Sequence, residues 1–467
     1  APPSKRAWKR LLGLFTGGVA ALAGVLGLGA LGLSRPALAP VTGVNAAATY
    51  SAATLERGRQ LAALGNCAGC HTADGGAAYA GGRPLETPFG TIFATNLTPD
   101  PATGIGRWSF SAFQRAMREG VSHDGRMLYP AFPYTAFTRM SDEELTALYA
   151  FLQSQPAVSN STPAADLRAP FHLRPLMHLW NALHLQPGPR SVPAATLAAL
   201  PAGVDAALWQ RGEYLVNGPG HCGACHTPRD AMGAEKTGSA YLSGAWVDGW
   251  HAPSLTALNR RTLPWSETAL YGYLKNSHSA AHGVAVGPMA QVVGSLQGVP
   301  EADLRAMAHY LATLQTSPPA DKPFSPTVGP NPIVVEQLAA QAVDRARALA
   351  PVPDGMQRMF ESACGACHSD GTAPVELGLN LPLALNSKLR AEQPDNLLRV
   401  LLDGIQRPAT RDIGFMPGFR HALDDAQLAE LATWLRRRYA PDQPAWPGPQ
   451  ALRERVAQLR GAPRTDR

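Results

Sequence analysis

Apolar residues recur at helical spacing in three pairs of segments, and each pair predicts two amphipathic helices. The leading segments are ATLERGRQLAALGNCAGCH, AALWQRGEYLVNGPGHCGACH and GMQRMFESACGACH. The closing segments are SDEELTALYAFLQS, VPEADLRAMAHYLATL and LDDAQLAELATWLRRRY, and each carries acidic residues near its start, where they suit the positive end of a helix dipole. The pairs recur with a period of about 150 residues, so the pattern indicates an internal repeat of three units.

An uncharged apolar run covers residues 11–33. Its 23 residues are enough to span about 30 Å of hydrocarbon, and a cluster of lysines and arginines precedes it. Basic flanks stay in the cytoplasm, so we expect a single membrane anchor with the rest of the chain on the periplasmic side. A cleaved signal peptide is the alternative, since ALA at 37–39 resembles a cleavage site. The run exceeds the usual core of about 7–15 residues, which favours the anchor.

Two stretches outside the helix pairs have a distinct composition. Residues 171–188 hold large apolar residues with few charges, and they predict a short helix that either packs on the first unit or lies at a subunit or membrane surface. The last stretch, from residue 441, has few apolar residues and is expected to lie on a partner or to be partly mobile. The net charge of +6 is concentrated near the two ends of the chain and gives no reason to invoke nucleic acid.

All six cysteines of the chain lie in three CxxCH boxes, at residues 67–71, 222–226 and 364–368. A zinc site pairs two CxxC knuckles or adds a distant His pair, and a redox CxxC needs a βαβ setting. The CxxCH box is instead the attachment pattern of c-type haem, in which two thiols form thioethers and the adjacent imidazole binds iron. The predicted attachment residues are Cys67, Cys70, Cys222, Cys225, Cys364 and Cys367, and the predicted iron ligands are His71, His226 and His368.

Methionine is a common sixth ligand of haem iron and raises its reduction potential. Met289 in VGPMAQ and Met416 in GFMPGF each lie in a loop rich in Gly and Pro before a closing helix, and both are predicted ligands. The first unit leaves the choice open between Met127 and Met140, with His123 as a further possibility.

These patterns predict an all-α protein of three tandem cytochrome c domains with long loops, plus one N-terminal transmembrane helix. The abundance of Gly (45) and Pro (42) fits loops wrapped around three covalent c-type haems. The predicted boundaries are 1–40 for the anchor, 50–158 for the first domain, 159–200 for a linker with an apolar helix, 201–317 for the second domain, 318–345 for a linker, 346–440 for the third domain and 441–467 for the tail.

From about residue 50 to 440 the chain resembles the triheme cytochrome c subunit of membrane-bound bacterial dehydrogenases. The resemblance rests on the three boxes, TPFGTIFATNLTPDPATGIGRWSFSAFQRAMREG, LYPAFPY and GEYLVNGPGHCGACHTPR. It implies a non-catalytic subunit that passes electrons from a periplasmic catalytic subunit to ubiquinone in the bacterial inner membrane. Met289 and Met416 match the distal methionines of that family, whereas Phe132 stands where the alcohol dehydrogenase branch tends to have methionine in YPAMPY.

The third unit is similar to cytochromes paired with molybdopterin hydroxylases. That likeness implies a molybdopterin aldehyde dehydrogenase with an iron–sulfur small subunit as the partner. A PQQ alcohol dehydrogenase is the main alternative. Two other classes are a haem peroxidase, which needs an iron without a sixth ligand, and a terminal-oxidase cytochrome subunit. The sequence has no signature of a copper or haem-b oxidase.

Overall fold

The computed structural model describes residues 35–41, 49–256, 258, 261–314, 329–349, 355–368 and 381–462. The described chain is mostly helical, as the sequence predicts, with a few short antiparallel strands in the loops. The predicted anchor at 11–33 lies outside these residues. Within the described ranges, none of the helices has both the length and the apolar character needed to cross a bilayer.

The first unit places its box between two crossing helices. Its elements are α1 (Ala52–Leu64), α2 (Cys67–His71), β1 (Pro84–Thr87), β2 (Gly90–Phe93), α3 (Phe110–Glu119), α4 (Tyr134–Phe137), α5 (Asp142–Gln153), β3 (Asp166–Leu167) and α6 (Leu176–His184). The three strands form one antiparallel sheet in the order β1-β2-β3. The hydroxyl of Ser51 caps α1 and that of Ser141 caps α5, so both helices begin where the polar pattern gives way to the apolar one.

Helix α6 has one buried and one exposed face. Met177 and Trp180 are buried against the first unit, and the Trp180 Nε1 donates a hydrogen bond to the Met232 carbonyl. Leu179 and Leu183 lie one turn apart on the other face and are 53% and 60% exposed. Because Met232 and the nearby Ala234 belong to the second unit, the helix packs against both of the first two units and also presents an apolar surface.

The second unit repeats the helix pair. Its elements are α7 (Ala194–Ala198), α8 (Ala206–Asn217), α9 (Gly223–His226), β4 (Ala245–Val247), β5 (Trp250–Ala252), α10 (Glu267–Asn276), β6 (His278–Ser279), β7 (Gly283–Val284), α11 (Pro288–Leu296) and α12 (Glu301–Thr313). Helices α8 and α12 bury Trp209 and Leu215 against Leu304 and Leu311. This is the amphipathic pairing that the sequence predicts.

The third unit contains two helices that the sequence analysis missed. Its elements are α13 (Pro332–Ala348), α14 (Gly355–Ala363), α15 (Gly365–His368), α16 (Asp395–Asp403), α17 (Asp425–Tyr439) and α18 (Pro449–Gly461). Helix α18 lies in the expected tail, and it buries Leu452, Val456 and Leu459 in the core around α17. Helix α13 lies largely in the expected linker. Both are amphipathic helices whose apolar stripe is narrow, which is why composition alone suggested loops.

A four-residue ion cluster joins the first two units. Arg57 contacts Glu144 at 2.7 Å within the first unit, and Arg211 contacts Asp303 at 2.9 Å within the second. Across the boundary Arg57 lies 3.5 Å from Asp303, and Arg211 lies 4.0 Å from Glu144. The two arginines occupy equivalent places in α1 and α8, and the two acids are each the third residue of a closing helix. The units therefore meet through matching surfaces, as in a twofold interface.

The third unit cannot repeat this cluster because its sequence differs at both places. Asp354 stands before Gly355, and Gln427 is the third residue of α17. The third unit contacts the second through other groups. Asn396 exchanges two hydrogen bonds with the backbone of His251, at 2.9 and 2.8 Å, and the Arg399 Nε donates to the Gly249 carbonyl at 2.6 Å.

Candidate haem centres

The histidines of the first two boxes are held in the same way. Each lies at the end of a one-turn helix, and its Nδ1 makes a short contact with a backbone carbonyl oxygen: His71 with Thr95 at 2.6 Å, and His226 with Pro253 at 2.7 Å. A carbonyl only accepts, so Nδ1 carries the proton and Nε2 is left with its lone pair. Burial lowers the pKa of both imidazoles and keeps them neutral. A neutral imidazole whose Nε2 is free is suited to bind a metal.

The histidine of the third box has a different surrounding. His368 is largely buried, which lowers its pKa, and its Nδ1 has no hydrogen-bond partner among the described residues. The chain directly after it, residues 369–380, lies outside the described ranges. The lowered pKa favours the neutral imidazole, which is the form that binds iron.

The six box cysteines are thiols without disulfide partners. Burial raises the pKa of Cys67 and Cys222 to about 12 and that of Cys364 to about 11. A cysteine that binds zinc is a thiolate, and such sites lie in surroundings that lower the pKa. Within the described residues, no group of three or more His, Cys, Asp or Glu side chains is arranged to hold a metal ion. The apolar setting thus fits thioether attachment better than a zinc knuckle.

A cavity in the third unit brings together the residues that the sequence predicts for one haem. It is lined by both cysteines of the box, His368 and Met416, and its other walls are mostly aliphatic and aromatic side chains. Its volume is about 1330 Å³, including space open to solvent. A mostly apolar lining with a few chemically distinct groups is typical of cofactor sites. The residues present therefore fit a haem.

The backbone of Met416 is held on both sides. Its N–H donates to the Ile405 carbonyl at 3.2 Å, and its own carbonyl accepts from the Ile405 N–H at 2.9 Å. Ile405 follows Gly404, which ends α16 with a φ of 73°. This bridge fixes the position from which the thioether enters the cavity.

Met289 lies in the first turn of α11, on the apolar core of the second unit. It packs against the same cluster of buried residues as Cys222. Met289 and Cys222 of the second centre thus share one core, as the predicted residues of the third centre share one cavity.

The structure places the two candidate methionines of the first unit in different clusters. Met140 is 1% exposed and belongs to the core against which Cys67 packs. Met127 belongs to a second cluster, with Met177 and Trp180 of α6, and Cys67 is not part of it. The His123 ring packs against Trp108 at an interplanar angle of 50°, with ring centroids 5.0 Å apart.

The first two boxes are close neighbours. The Arg83 Nη1 donates to the carbonyl of Gly69 within the first box and to the Gln291 Oε1, at 3.0 Å, two residues after Met289. The pKa of Cys225 is raised by burial and also by the nearby Cys70 of the first unit. The attachment sites of the first two centres therefore lie close together.

Sequence reasoning missed Lys388, which lines the third cavity. Its side chain is buried, with an overall exposure of 8%, and its Nζ donates to the Val284 carbonyl at 2.7 Å. Burial lowers the pKa of Lys388 to about 8. The signal is absent from the sequence because Lys388 follows a single short turn, where a lysine usually points to solvent.

Comparisons with known proteins agree with this interpretation of the boxes. Residues 55–156 and 210–315 match the family described as "Cytochrome c", and residues 351–435 match "Cytochrome C oxidase, cbb3-type, subunit III". One subunit of the nicotinate dehydrogenase of Pseudomonas putida is 50% identical over 95% of this chain and 35% of its own length. The chain therefore spans about a third of that relative.

Other relatives are covered over most of their length. "Alcohol dehydrogenase (quinone), cytochrome c subunit" of Gluconacetobacter polyoxogenes is 36% identical over 84% of this chain and 82% of its own. "Gluconate 2-dehydrogenase cytochrome c subunit" of Pantoea cypripedii is 36% identical over 82% of this chain and 85% of its own. With a cytochrome family match over each CxxCH box and this similarity along most of the chain, the protein belongs to the family of dehydrogenase cytochrome c subunits.

Proposed function

We propose that this chain is an electron-transfer subunit that carries three covalent c-type haems and passes electrons from a dehydrogenase catalytic subunit to membrane ubiquinone. The observation that carries the proposal is the third cavity, in which Cys364, Cys367, His368 and Met416 meet. Haem iron supplies one-electron chemistry at each centre by alternating between ferrous and ferric states. The chain itself holds each group, excludes water from it and sets its potential.

Each of the three units, at 50–158, 201–317 and 346–440, acts as one cytochrome c domain in this proposal. The six cysteines would anchor the haems, and the Nε2 atoms of His71, His226 and His368 would bind their irons. Met289 and Met416 would supply a second ligand in the second and third domains. A thioether ligand favours ferrous iron and would give both centres a high potential.

The units contact one another in the order in which they follow along the chain. Arg83 links the first box to Gln291 of the second unit, and the second unit contributes Val284 and Val286 to the wall of the third cavity. The second centre thus lies between the other two. This arrangement supports a linear relay through all three.

For the partner, we propose a molybdopterin dehydrogenase with an iron–sulfur subunit, with an aldehyde as substrate. Similarity to a protein named for nicotinate adds an N-heterocycle as a second substrate class. A PQQ alcohol dehydrogenase is the alternative, because several relatives are named as quinone alcohol dehydrogenase subunits. Co-purification of the native complex, followed by mass spectrometry and metal analysis, separates them. Molybdenum in the complex supports the proposal, whereas PQQ without molybdenum contradicts it.

We also propose that residues 11–33 anchor the chain in the inner membrane, with the haem domains in the periplasm. Replacing residues 1–34 with a cleavable signal should leave the haem spectra intact and reduce quinone reduction, since the acceptor lies in the bilayer. The exposed Leu179 and Leu183 of α6 are the second candidate for a membrane or subunit contact. If the truncated protein binds membranes as before, residues 11–33 are not the main anchor.

The direct test is the number of haems. A pyridine haemochrome assay on matured protein should give three haems per chain, and the denatured protein should retain peroxidase staining on a gel because thioethers are covalent. Cys364→Ala with Cys367→Ala should lower the count to two. A count of two or fewer in the unaltered protein would falsify the assignment of at least one box.

A further inference from the structure

We propose that the first haem iron has no methionine ligand, and that Phe132 covers its distal side, leaving a site for a small neutral ligand such as carbon monoxide on ferrous iron. The inference rests on the proposed attachment of haem to the box at 67–71. It concerns what the chain places opposite His71, and three observations carry it.

The first observation is the matching backbone path in the first two units. The C-cap residue of α3 is Gly120 and that of α10 is Ser277. Both have a left-handed backbone, with φ of 65° and 62°. The next residue pairs back in each case, Val121 with Met127 and His278 with Val284. Phe132 comes five residues after Met127, and Met289 comes five residues after Val284. Phe132 therefore holds the place of the second unit's distal methionine.

The second observation concerns Met127, whose place in the second unit is taken by Val284. In the third unit, the residue at the corresponding bridge is Met416, which pairs with Ile405. The bridge alone would therefore favour Met127 as the ligand of the first iron. The surroundings differ, however. Met416 packs against the core that also holds Cys364, whereas Met127 packs in a cluster without Cys67.

The distance to the closing helix also separates Met127 from the other positions. Phe132 comes nine residues before the N-cap Ser141 (141 − 132), and Met416 comes eight before the N-cap Asp424 (424 − 416). Met127 comes fourteen before Ser141 (141 − 127). Met289 comes eleven residues before the N-cap Pro300 (300 − 289). By this measure Phe132 lies nearer than Met127 to both proposed distal methionines.

The third observation concerns Met140, which directly precedes the N-cap of α5. The same place before the closing helix holds Val299 in the second unit and Leu423 in the third. An apolar residue before the N-cap packs on the first turn of its helix, as in a hydrophobic staple. Met140 and Leu145 share one buried core, which fits that role. Of the three residues at this position, Val299 and Leu423 have no atom that can bind iron.

Phe132 is suited to cover an iron without binding it. Its ring packs beside Phe137 and Tyr134, with centroids 5.6 and 6.1 Å apart, and it touches both apolar clusters of the first unit. The rings of Phe132 and Phe137 offer no charge or hydrogen bond to an anion, and the Tyr134 hydroxyl donates to Asn181. A small neutral molecule can enter by a rotation of the ring.

The test uses the full-length protein reduced with dithionite and titrated with carbon monoxide in the visible region. We expect about one carbon monoxide per three haems, and a high-spin ferric signal from one haem in three by EPR. Binding of no carbon monoxide, with all three haems low-spin, overturns the inference. A haem count of two identifies failure of the proposed attachment instead.

Variants assign the site. Phe132→Met should supply a thioether, abolish carbon monoxide binding and convert the high-spin signal to low-spin. Met140→Leu and Met127→Leu, the matched controls, should leave one carbon monoxide bound per chain and leave the EPR signal unchanged. The inference fails if either methionine variant creates carbon monoxide binding that the unaltered protein lacks. It also fails if folded, fully haem-loaded Phe132→Met still binds carbon monoxide. The EPR of the unaltered protein decides the matter if Phe132→Met does not fold.

Discussion

Gly58 lies directly against the backbone of Ala147 where α1 crosses α5, and a Cβ atom on this glycine would be 2.0 Å from the Ala147 carbonyl oxygen. Gly212 meets Ala306 in the second unit with the same 2.0 Å spacing. The leading and closing helices of both units thus touch backbone to backbone. Since each leading helix runs into a CxxCH box, this crossing fixes the box relative to the helix that follows the distal loop.

Replacing Gly58 with alanine should therefore destabilise the first unit. Overpacking typically costs about 1–3 kcal/mol, and here the clash is with backbone that cannot rotate away. Denaturant unfolding followed by circular dichroism measures the loss. Gly355→Ala is the matched control, because Gly355 also lies in a leading helix but no atom of the described residues is within 4 Å of its Cβ position. We expect that variant to be neutral or to gain up to about 1 kcal/mol of helix propensity. Equal losses in both variants would contradict the close crossing.

The ion cluster between the first two units should contribute measurable coupling. Arg57 spans the boundary, and Glu144 and Asp303 are only 13% and 11% exposed at their side chains. A double-mutant cycle with Arg57→Met and Asp303→Asn should give a coupling of about 0.5–3 kcal/mol. The exposed pair Arg305 and Glu301 is the control, and it should give about 0.2–1 kcal/mol. A coupling no larger than that of the control would mean that the cluster does not hold the units together.

Exchange of either proposed distal methionine for histidine should lower the potential of its haem. Histidine is a stronger donor to ferric iron, and axial ligands shift haem potentials over a range of about 0.8 V. Redox titration of Met416→His and Met289→His measures the shift, and Met359→Leu, a change within the same third core, should leave the potential unaltered.

The same variants test the relay. A low-potential centre creates an uphill step, so quinone reduction should slow while stopped-flow reduction of haem by substrate stays fast. If the potentials shift and quinone turnover is unchanged in one variant, that haem lies off the main route.

The buried Lys388 should make the third centre respond to pH. Below about pH 8 the lysine is charged, and a nearby cation disfavours ferric iron, so the potential is higher. Lys388→Met should lower the potential at pH 7. Above pH 8 the unaltered protein should approach the variant as the lysine loses its proton. The exposed Lys236→Met is the control and should have little effect. If the difference in potential between Lys388→Met and the unaltered protein does not change with pH, the charge on Lys388 is not its cause.

The same lysine should make the free energy of unfolding depend on pH. Its pKa of about 8 in the folded chain lies below the ordinary value near 10.4, so between these values the unfolded chain binds more protons. The destabilising effect of the buried charge is fully present below pH 8 and fades as the pH rises toward 10.4. The free energy of unfolding of the unaltered protein, compared with that of Lys388→Met, should therefore rise over this window. A fall over the same window would contradict burial of the charge.

The sequence by itself determined the three boxes, the helix pairs around them and the cytochrome c family. These features are local. A CxxCH box holds its attachment atoms within one helical turn, and an amphipathic helix shows its apolar face in its own period. Met289 and Met416 were also visible, because each lies at a loop distance from a recognisable closing helix.

Only the tertiary structure decided which groups meet across the units. Arg57 and Asp303 are far apart in sequence, as are Cys70 and Cys225, and no periodicity links them. The separation of Met127 from the core around Cys67 depends on where α6 packs, and α6 follows the closing helix of that unit. The burial of Lys388 likewise depends on the approach of β7 from the second unit. Contacts of this kind follow from packing and topology, which local patterns do not encode.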